Sequence, residues 1–305
     1  MTARASYAVY GKLTLMALFW GGTFVGGRIA SAEMAAVTAA LWRYLLAIVA
    51  LLILAYALEG GLARPTPRQW IGVTLLGATG VFIFNLCFMY GLGRISASRA
   101  SLIMALNPAI TLLGASLFLG EHLTRYKVVG ICMALAGVAV VLGHGNPLNM
   151  FGGSVGIGEV VMFGCPLAWA ANTLIAKRML PDMSAIASTT WSAITGTAML
   201  AVAAVAMGQA VPAGVSWHAW AAIVYIAIFG TAIGLVLFYD GVRRIGAART
   251  SVFINLVPVF AVALGVLLLD EPLELSMIAG GALVIGGIFL LNRPAPRRGT
   301  ASHAA

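Results

Sequence analysis

Apolar residues in this chain come in long unbroken runs, with neither the alternation of a half-buried strand nor the one-sided stripe of a surface helix. Runs such as Leu45 to Ala57 and Ile131 to Leu142 have no period of two, which excludes the short alternating segments of a membrane β-barrel. A helix needs about 20 mostly apolar residues to cross a hydrocarbon core roughly 30 Å thick. Cutting the chain at its charges, prolines and glycines predicts ten such helices, over 10–29, 35–57, 70–92, 97–118, 126–143, 156–177, 184–207, 218–242, 247–268 and 275–291. The first run is too long for a signal-peptide core and has no small-residue cleavage site, so it is expected to stay in the mature protein.

Composition turns this pattern into a class. Of 305 residues, 61% are hydrophobic and only 9% charged, and the mean hydropathy is +1.00. An average soluble domain carries roughly 25% charged residues. The chain therefore reads as an all-α membrane protein whose partner is the lipid bilayer. Its net charge of +9 is spread too thinly for a phosphate-tracking face, so no nucleic acid is expected. The charge encodes orientation instead, because cytoplasmic loops collect Lys and Arg. With the N-terminus inside, fourteen basic residues lie on the inner side, three (Arg28, Arg94, Arg99) on the outer side, and Arg43 within a span. Both termini are thus expected in the cytoplasm. The loop of Asp270, Glu271 and Glu274 faces outward and has no basic partner in the sequence. Cys87, Cys132 and Cys165 sit in apolar stretches without pairing or metal-ligand spacing and read as core thiols.

Sliding the chain against itself by 150 residues aligns 91–123 with 241–273 at twelve identities in 33 positions, among them Gly91, Arg94, Arg99, Pro108 and Glu121. An offset of 149 brings Trp20 to Trp169 and Trp42 to Trp191. Apolar bias alone would not match Arg, Pro and Glu. The division that follows is a first repeat over 1–143, a connecting loop over 144–155, a second repeat over 156–292 and a cytoplasmic tail over 293–305. Each repeat has five spans, an odd number, so the copies are inverted across the membrane. Inverted repeats are a device of secondary transporters, in which a midplane site is exposed to either side in turn.

The duplicated pattern, with Phe19-Trp20-Gly21-Gly22 in the first span, Leu106-Asn107-Pro108 in the fourth, and Gly120-Glu121 echoed by Asp270-Glu271-Pro272, resembles the drug/metabolite transporter superfamily. Within it the chain is similar to the EamA family, which includes YddG-type amino-acid exporters. The resemblance covers residues 10–292. It implies ten transmembrane helices in two inverted five-helix repeats around a central cavity, with the fifth and tenth helices peripheral.

Polar groups deep in a membrane face protein or a cavity, so they are the candidates for substrate contact. Arg43 lies about 12 Å into the second span at 1.5 Å per residue, and reads either as a carboxylate partner or as a structural pair. Asn107 and Asn255 flank Pro108 and Pro258, whose missing N–H breaks a helix and frees carbonyls. The prolines read as hinges or as packing kinks. Trp20 and Trp169 lie too deep for an interfacial belt and are candidates to line the cavity. Trp42 and Trp191 are divided evenly between lining and packing. Asn85, Tyr90, Asn172 and Tyr239 are further polar candidates, and Phe84, Phe88 and Met89 can supply an apolar wall. Glu159 reads as a proton site or, more simply, an interfacial charge. The four histidines lie in loops or the tail and converge on no carboxylate in the sequence.

No cofactor, metal site, phosphate loop or converging catalytic set is visible, which speaks against an enzyme and against direct ATP coupling. Gly152 to Gly156 matches a nucleophile-elbow pattern but lacks the strand and helix that such an elbow needs. A multidrug cation pump would place an acid in the first span, and a dianion carrier would need several deep basic residues. Neither is present. A small zwitterion fits best, amino acids foremost, and the resemblance implies that they are exported, with broad specificity, the alternative being multidrug or other metabolite efflux. The abundance of Ala, Gly and Arg points to a bacterial inner membrane. A cysteine at Ser302 is expected to label from the cytoplasmic side only; labelling from outside intact cells would overturn the orientation.

Overall fold

The computed structural model describes residues 3–153, 155–180 and 182–291, so the expected tail, His303, the Ser302 test position and Ser154 of the elbow-like pattern lie outside the described residues. Among the described residues there are ten helical spans. They are α1 (Ala3–Glu33), α2 (Ala36–Glu59), α3 (Pro67–Leu92), α4 in two pieces, α4a (Ala97–Met104) and α4b (Asn107–Leu119), and α5 (Arg125–Leu142). The second repeat supplies α6 (Ile157–Met179), α7 (Ala185–Ala206), α8 (Trp217–Ile245), α9 in two pieces, α9a (Ala247–Ile254) and α9b (Val257–Leu269), and α10 (Leu275–Leu291). Nine spans have at least 18 suitably apolar residues among those described, and α10 has 17, roughly 25 Å at 1.5 Å per residue. We call the end of the bundle where α1 begins proximal and the other end distal.

Helix is the only open-ended way to satisfy every backbone group in lipid, and the ends are closed locally. Thr66, Ser96, Thr124, Ser184 and Ser216 each accept a first-turn N–H, and Gly60 and Gly120 end α2 and α4 in the left-handed region. Two features inside the spans were not legible in the sequence. The middle of α3 (Gly77–Ile83) and the middle of α8 (Ile226–Ile233) are π-helical, at repeat-related positions. Each carries a glycine where a neighbour comes close: a side chain at Gly80 would collide with Asn172 of α6, and one at Gly230 with Thr23 of α1. Asn172 and Thr23 are themselves repeat copies at an offset of 149.

The spans around the centre are α1 to α4 and α6 to α9, with α1 crossing α9b as α6 crosses α4b, and α2 crossing α7. Gly22 and Gly26 of α1 admit Tyr225 and Ile226 of α8. The fifth and tenth helices pack on one another. There Gly130 and Gly137 of α5 face Gly287 and Gly280 of α10 so closely that a Cβ on any of them would meet backbone. Small residues that bring backbones together are a main source of helix association in lipid. Trp42 and Trp191 are packing residues at helix ends: each indole N–H donates to a loop carbonyl (Ala210, 3.1 Å; Ala63, 2.8 Å), and each ring meets a second repeat-related tryptophan, Trp220 or Trp70. The expectation of core thiols is corrected at Cys132, which is exposed on α5; Cys165 is buried and Cys87 half-buried.

Gly137→Leu is expected to weaken the α5–α10 crossing by about 1–3 kcal/mol, the ordinary cost of overpacking. It should lower the melting temperature in detergent, whereas Gly11→Leu, whose side chain meets open space, should leave it unchanged.

Candidate functional site

The two ends of the bundle differ. In the distal half α4a lies on α9b, and the last part of α3 (Phe84–Leu92) lies on α1, α2 and α6. Among the described residues, the repeat equivalents in the proximal half are packed far less: α9a is not packed on α4b, and the last part of α8 (Gly234–Ile245) rests on α1 and α9a and meets α7 through a side-chain hydrogen bond between Tyr239 and Thr189. A cleft therefore opens at the proximal end, with α8 and α9a on one side and α4b, α6 and α7 on the other, bridged by the Tyr239–Thr189 hydrogen bond. Trp169 is 40% exposed and Thr173, one turn on, is exposed as well. Both sit on the face of α6 opposite the lipid-facing Leu167, two residues or about 200° around a helix from Trp169. They face the cleft.

Polar bonds and ion pairs close the distal end. Glu271 accepts hydrogen bonds from Ala97 N (2.6 Å), Ser98 N (3.0 Å) and Ser98 Oγ (2.5 Å). Arg99 reaches Glu159 (3.3 Å) and donates to the Leu142 carbonyl (3.1 Å). Glu159 is thus an ion-pair partner and also accepts from Gly156 N. His144 meets Glu274 at 2.9 Å, so one histidine does converge on a carboxylate and the acidic loop has a basic partner after all. The pairing was hidden because 130 residues separate the two. At the proximal end Lys12 of α1 pairs with Asp240 of α8 (3.0 Å), and Lys177 of α6 with Glu121 (2.8 Å). The Lys177 hydrogen bond and charge hold the Glu121 carboxyl below the usual carboxylate range.

Deep in the distal wall, Arg43 of α2 is 8% exposed and donates through Nη1 to Asn85 Oδ1 of α3 at 2.6 Å. Asn85 is 0% exposed and turns its amide to the Val81 and Gly80 carbonyls of the π-helical stretch. The cation lies 5.3 Å from the Tyr44 ring centre and 5.9 Å from that of Phe88, and no hydrogen-bond acceptor meets its Nε. From Phe88 a run of aromatic contacts continues through Phe84 (5.7 Å) to Trp169 (5.6 Å). These are the residues that the fold brings together: Arg43, Asn85 and Trp169, joined by the Phe84–Phe88 wall.

The other candidates are dispersed. Trp20 donates to the Gly230 carbonyl (2.9 Å), which the π-helical turn of α8 leaves available, and meets Phe238 at a tilt; Phe238 in turn meets Tyr239, which hydrogen-bonds Thr189 of α7. Asn172 donates to the Leu76 carbonyl at 3.0 Å. Asn107 accepts from Thr111 Oγ1 (3.1 Å) at the break in α4. Asn255, at the break in α9, is 8% exposed and its Nδ2 has no partner. Pro108 and Pro258 are the second residues of α4b and α9b, each just after a 3₁₀-like turn through Leu106 or Leu256. Tyr90 lies apart, at the distal end of α3 beneath Arg94, whose cation is 3.5 Å from its ring centre. Sequence reasoning passed over Arg99 and Glu271, although both are identical in the two repeats.

The profile of the EamA-like transporter family matches residues 10–143 and again residues 156–293. An uncharacterized transporter of Bacillus subtilis, YyaM, is 29% identical over 286 residues, 92% of each chain. A probable terminal-alkyne amino-acid exporter of Streptantibioticus cattleyicolor is 30% identical over 291 residues, 95% of each chain. A solved crystal structure aligns with a TM-score of 0.64 over 93% of this chain and 97% of that one at 19% identity, a likeness of fold alone.

If Asn85 is what makes a buried Arg43 tolerable, Asn85→Leu should destabilise the detergent-solubilised protein by about 3 kcal/mol, as expected for a stranded buried charge. Adding Arg43→Met should recover much of the loss. A double variant no more stable than Asn85→Leu, in a denaturant titration, would show that the pair does not hold Arg43.

Proposed function

The chain belongs to the EamA-like transporter family, and on that premise we propose that this multi-pass membrane transporter exports small zwitterionic metabolites, amino acids foremost, by alternating access. One observation carries the reading. Arg43 is buried at the closed end of the cleft with a neutral partner, an unpartnered Nε and no carboxylate beside it among the described residues. A buried cation without a counter-ion is costly, and a substrate carboxylate is the anion that would relieve it. The neighbouring Phe88, Phe84 and Trp169 would shelter an apolar side chain, and the unpartnered amide of Asn255 together with Asn107, Asn172, Trp20 and Tyr239 would offer polar contacts as the substrate moves along the cleft. The relative named as a probable amino-acid exporter supports the same class. Pro108 and Pro258 serve as hinges, because a helix already missing one backbone bond bends there at least cost. We place the protein in a bacterial inner membrane with both termini cytoplasmic, which makes the cleft inward-facing.

Multidrug efflux is the competing reading, since the aromatic wall alone would also suit an organic cation. Counterflow in proteoliposomes separates the two: labelled neutral amino acids should exchange and compete with one another, while transport of a cationic drug alone would sink the amino-acid assignment. Arg43→Ala should lower exchange of carboxylate substrates by about tenfold relative to their amides, the size of one lost charge-assisted hydrogen bond; equal loss for acid and amide would make Arg43 structural. Pro108→Ala should slow turnover far more than it weakens binding, and unchanged turnover would reduce the proline to a packing kink.

A further inference from the structure

The two ends of the bundle are built from repeat copies of the same residues, yet one carboxylate of a repeat-related pair is buried and the other is not. Glu271, just past the end of α9, is 9% exposed and accepts three hydrogen bonds from the start of α4. Its copy Glu121, just past the end of α4, would by the same symmetry reach the first amides of α9 at Ala247 and Ala248. It pairs instead with Lys177 on the half-exposed surface of the cleft mouth. The N-cap of α9a is Gly246, which has no side chain to offer, whereas α4a has Ser96 at that place. Lys177 also has a copy, Arg28 at an offset of 149. Arg28 belongs to α1, which packs on α9b as α6, carrying Lys177, packs on α4b.

We propose that Glu271 and Glu121 are mutually exclusive latches that set which end of the cleft is closed. In the present state Glu271 holds α4a to α9b and shuts the distal end, while Glu121 rests on Lys177. In the opposite state Glu121 takes the first-turn amides of α9 and shuts the proximal end, and Glu271 rests on Arg28. First-turn amides have no partner within their own helix and sit at the positive end of its dipole, so a carboxylate there is bound firmly. A half-exposed ion pair is worth much less. Each state thus has one strong and one weak carboxylate contact, and exchanging them strands no charge. The proposal rests on the alternating-access reading above, and on no particular substrate.

The test uses a background with Cys87, Cys132 and Cys165 replaced by alanine, in proteoliposomes without substrate. Ser101→Cys reports the distal closure, because Ser101 is 1% exposed on α4a; Thr173→Cys reports the proximal cleft, where Thr173 is exposed. The rate of alkylation by membrane-permeant N-ethylmaleimide is read at each. Glu271→Ala is expected to raise labelling of Ser101→Cys about tenfold and to slow that of Thr173→Cys comparably, the size of one lost helix cap. Glu121→Ala is expected to lower labelling of Ser101→Cys, because it removes the latch of the opposite state. Lys177→Ala deletes the other half of the same ion pair and is expected to raise it by about twofold, since only the weak resting contact is lost. An ion pair that merely stabilises the present state would make Glu121→Ala and Lys177→Ala move the signal in one direction. A mere packing defect at Glu271 would expose Ser101→Cys without slowing Thr173→Cys. Either result overturns the proposal, and because no substrate is present, neither depends on whether amino acids are transported.

Discussion

A backbone group that loses its partner inside a bilayer has no water to turn to, and the interior of this protein is arranged around the places where helices nevertheless break. Among the described residues these are the π-helical middles of α3 and α8, the proline turns of α4 and α9, and the turn at Phe163 in α6. At α3 the loosened carbonyls of Gly80 and Val81 take the amide of Asn85, and that of Leu76 takes Asn172. At α8 the Gly230 carbonyl takes Trp20. Polar side chains were available there because carbonyls needed them, and irregular backbone is tolerated only where it meets protein or a water-filled space. The positions with the most polar chemistry are therefore the positions where the helices can bend.

Arg43 depends on the same constraint. Its guanidinium can sit some seven residues into α2 only because Asn85, itself locked onto two carbonyls, turns an oxygen toward it. Asn85 is neutral, so it satisfies one donor and leaves the charge uncompensated. A carboxylate at that place would have neutralised the guanidinium. Helix 7 carries Ser192 at the equivalent depth, its hydroxyl donating to the Thr189 carbonyl in its own helix, so the charge belongs to one repeat and to the end of the cleft that is closed.

Much of the architecture was legible in the chain. Ten apolar runs, an offset of 150 and five spans per repeat led to inverted halves, and the observed helix ends fall within a few residues of the expected ones. Span α1 runs on past residue 29 to Glu33, where Arg28 and Glu33 find partners in Leu92 and Ser216. Hydropathy has no signal for a π-helical turn, since Gly77–Ile83 and Ile226–Ile233 are as apolar as any α-helical stretch. Nor could it tell Arg43 that its partner would be Asn85, 42 positions away. Tyr90 and Asn85 looked alike as polar residues of one helix, yet five positions along a helix separate a boundary residue under Arg94 from a buried one beside Arg43.

The sequence is nearly symmetric where the structure is not, and that difference has a physical consequence. Two copies of one five-helix unit, inverted, can close at either end with similar contacts, so the two arrangements of the pair must lie close in free energy. An interface with two discrete packings switches between them and does not deform continuously. Departures from identity between the repeats then decide the balance: Ser96 against Gly246 at a helix start, Arg28 against Lys177 near a helix end, Arg43 against Ser192 in the wall. Each is a small change at a place where breaking and remaking a contact costs little. On the alternating-access reading a carrier needs both states accessible, and an inverted repeat would supply them before any substrate is bound.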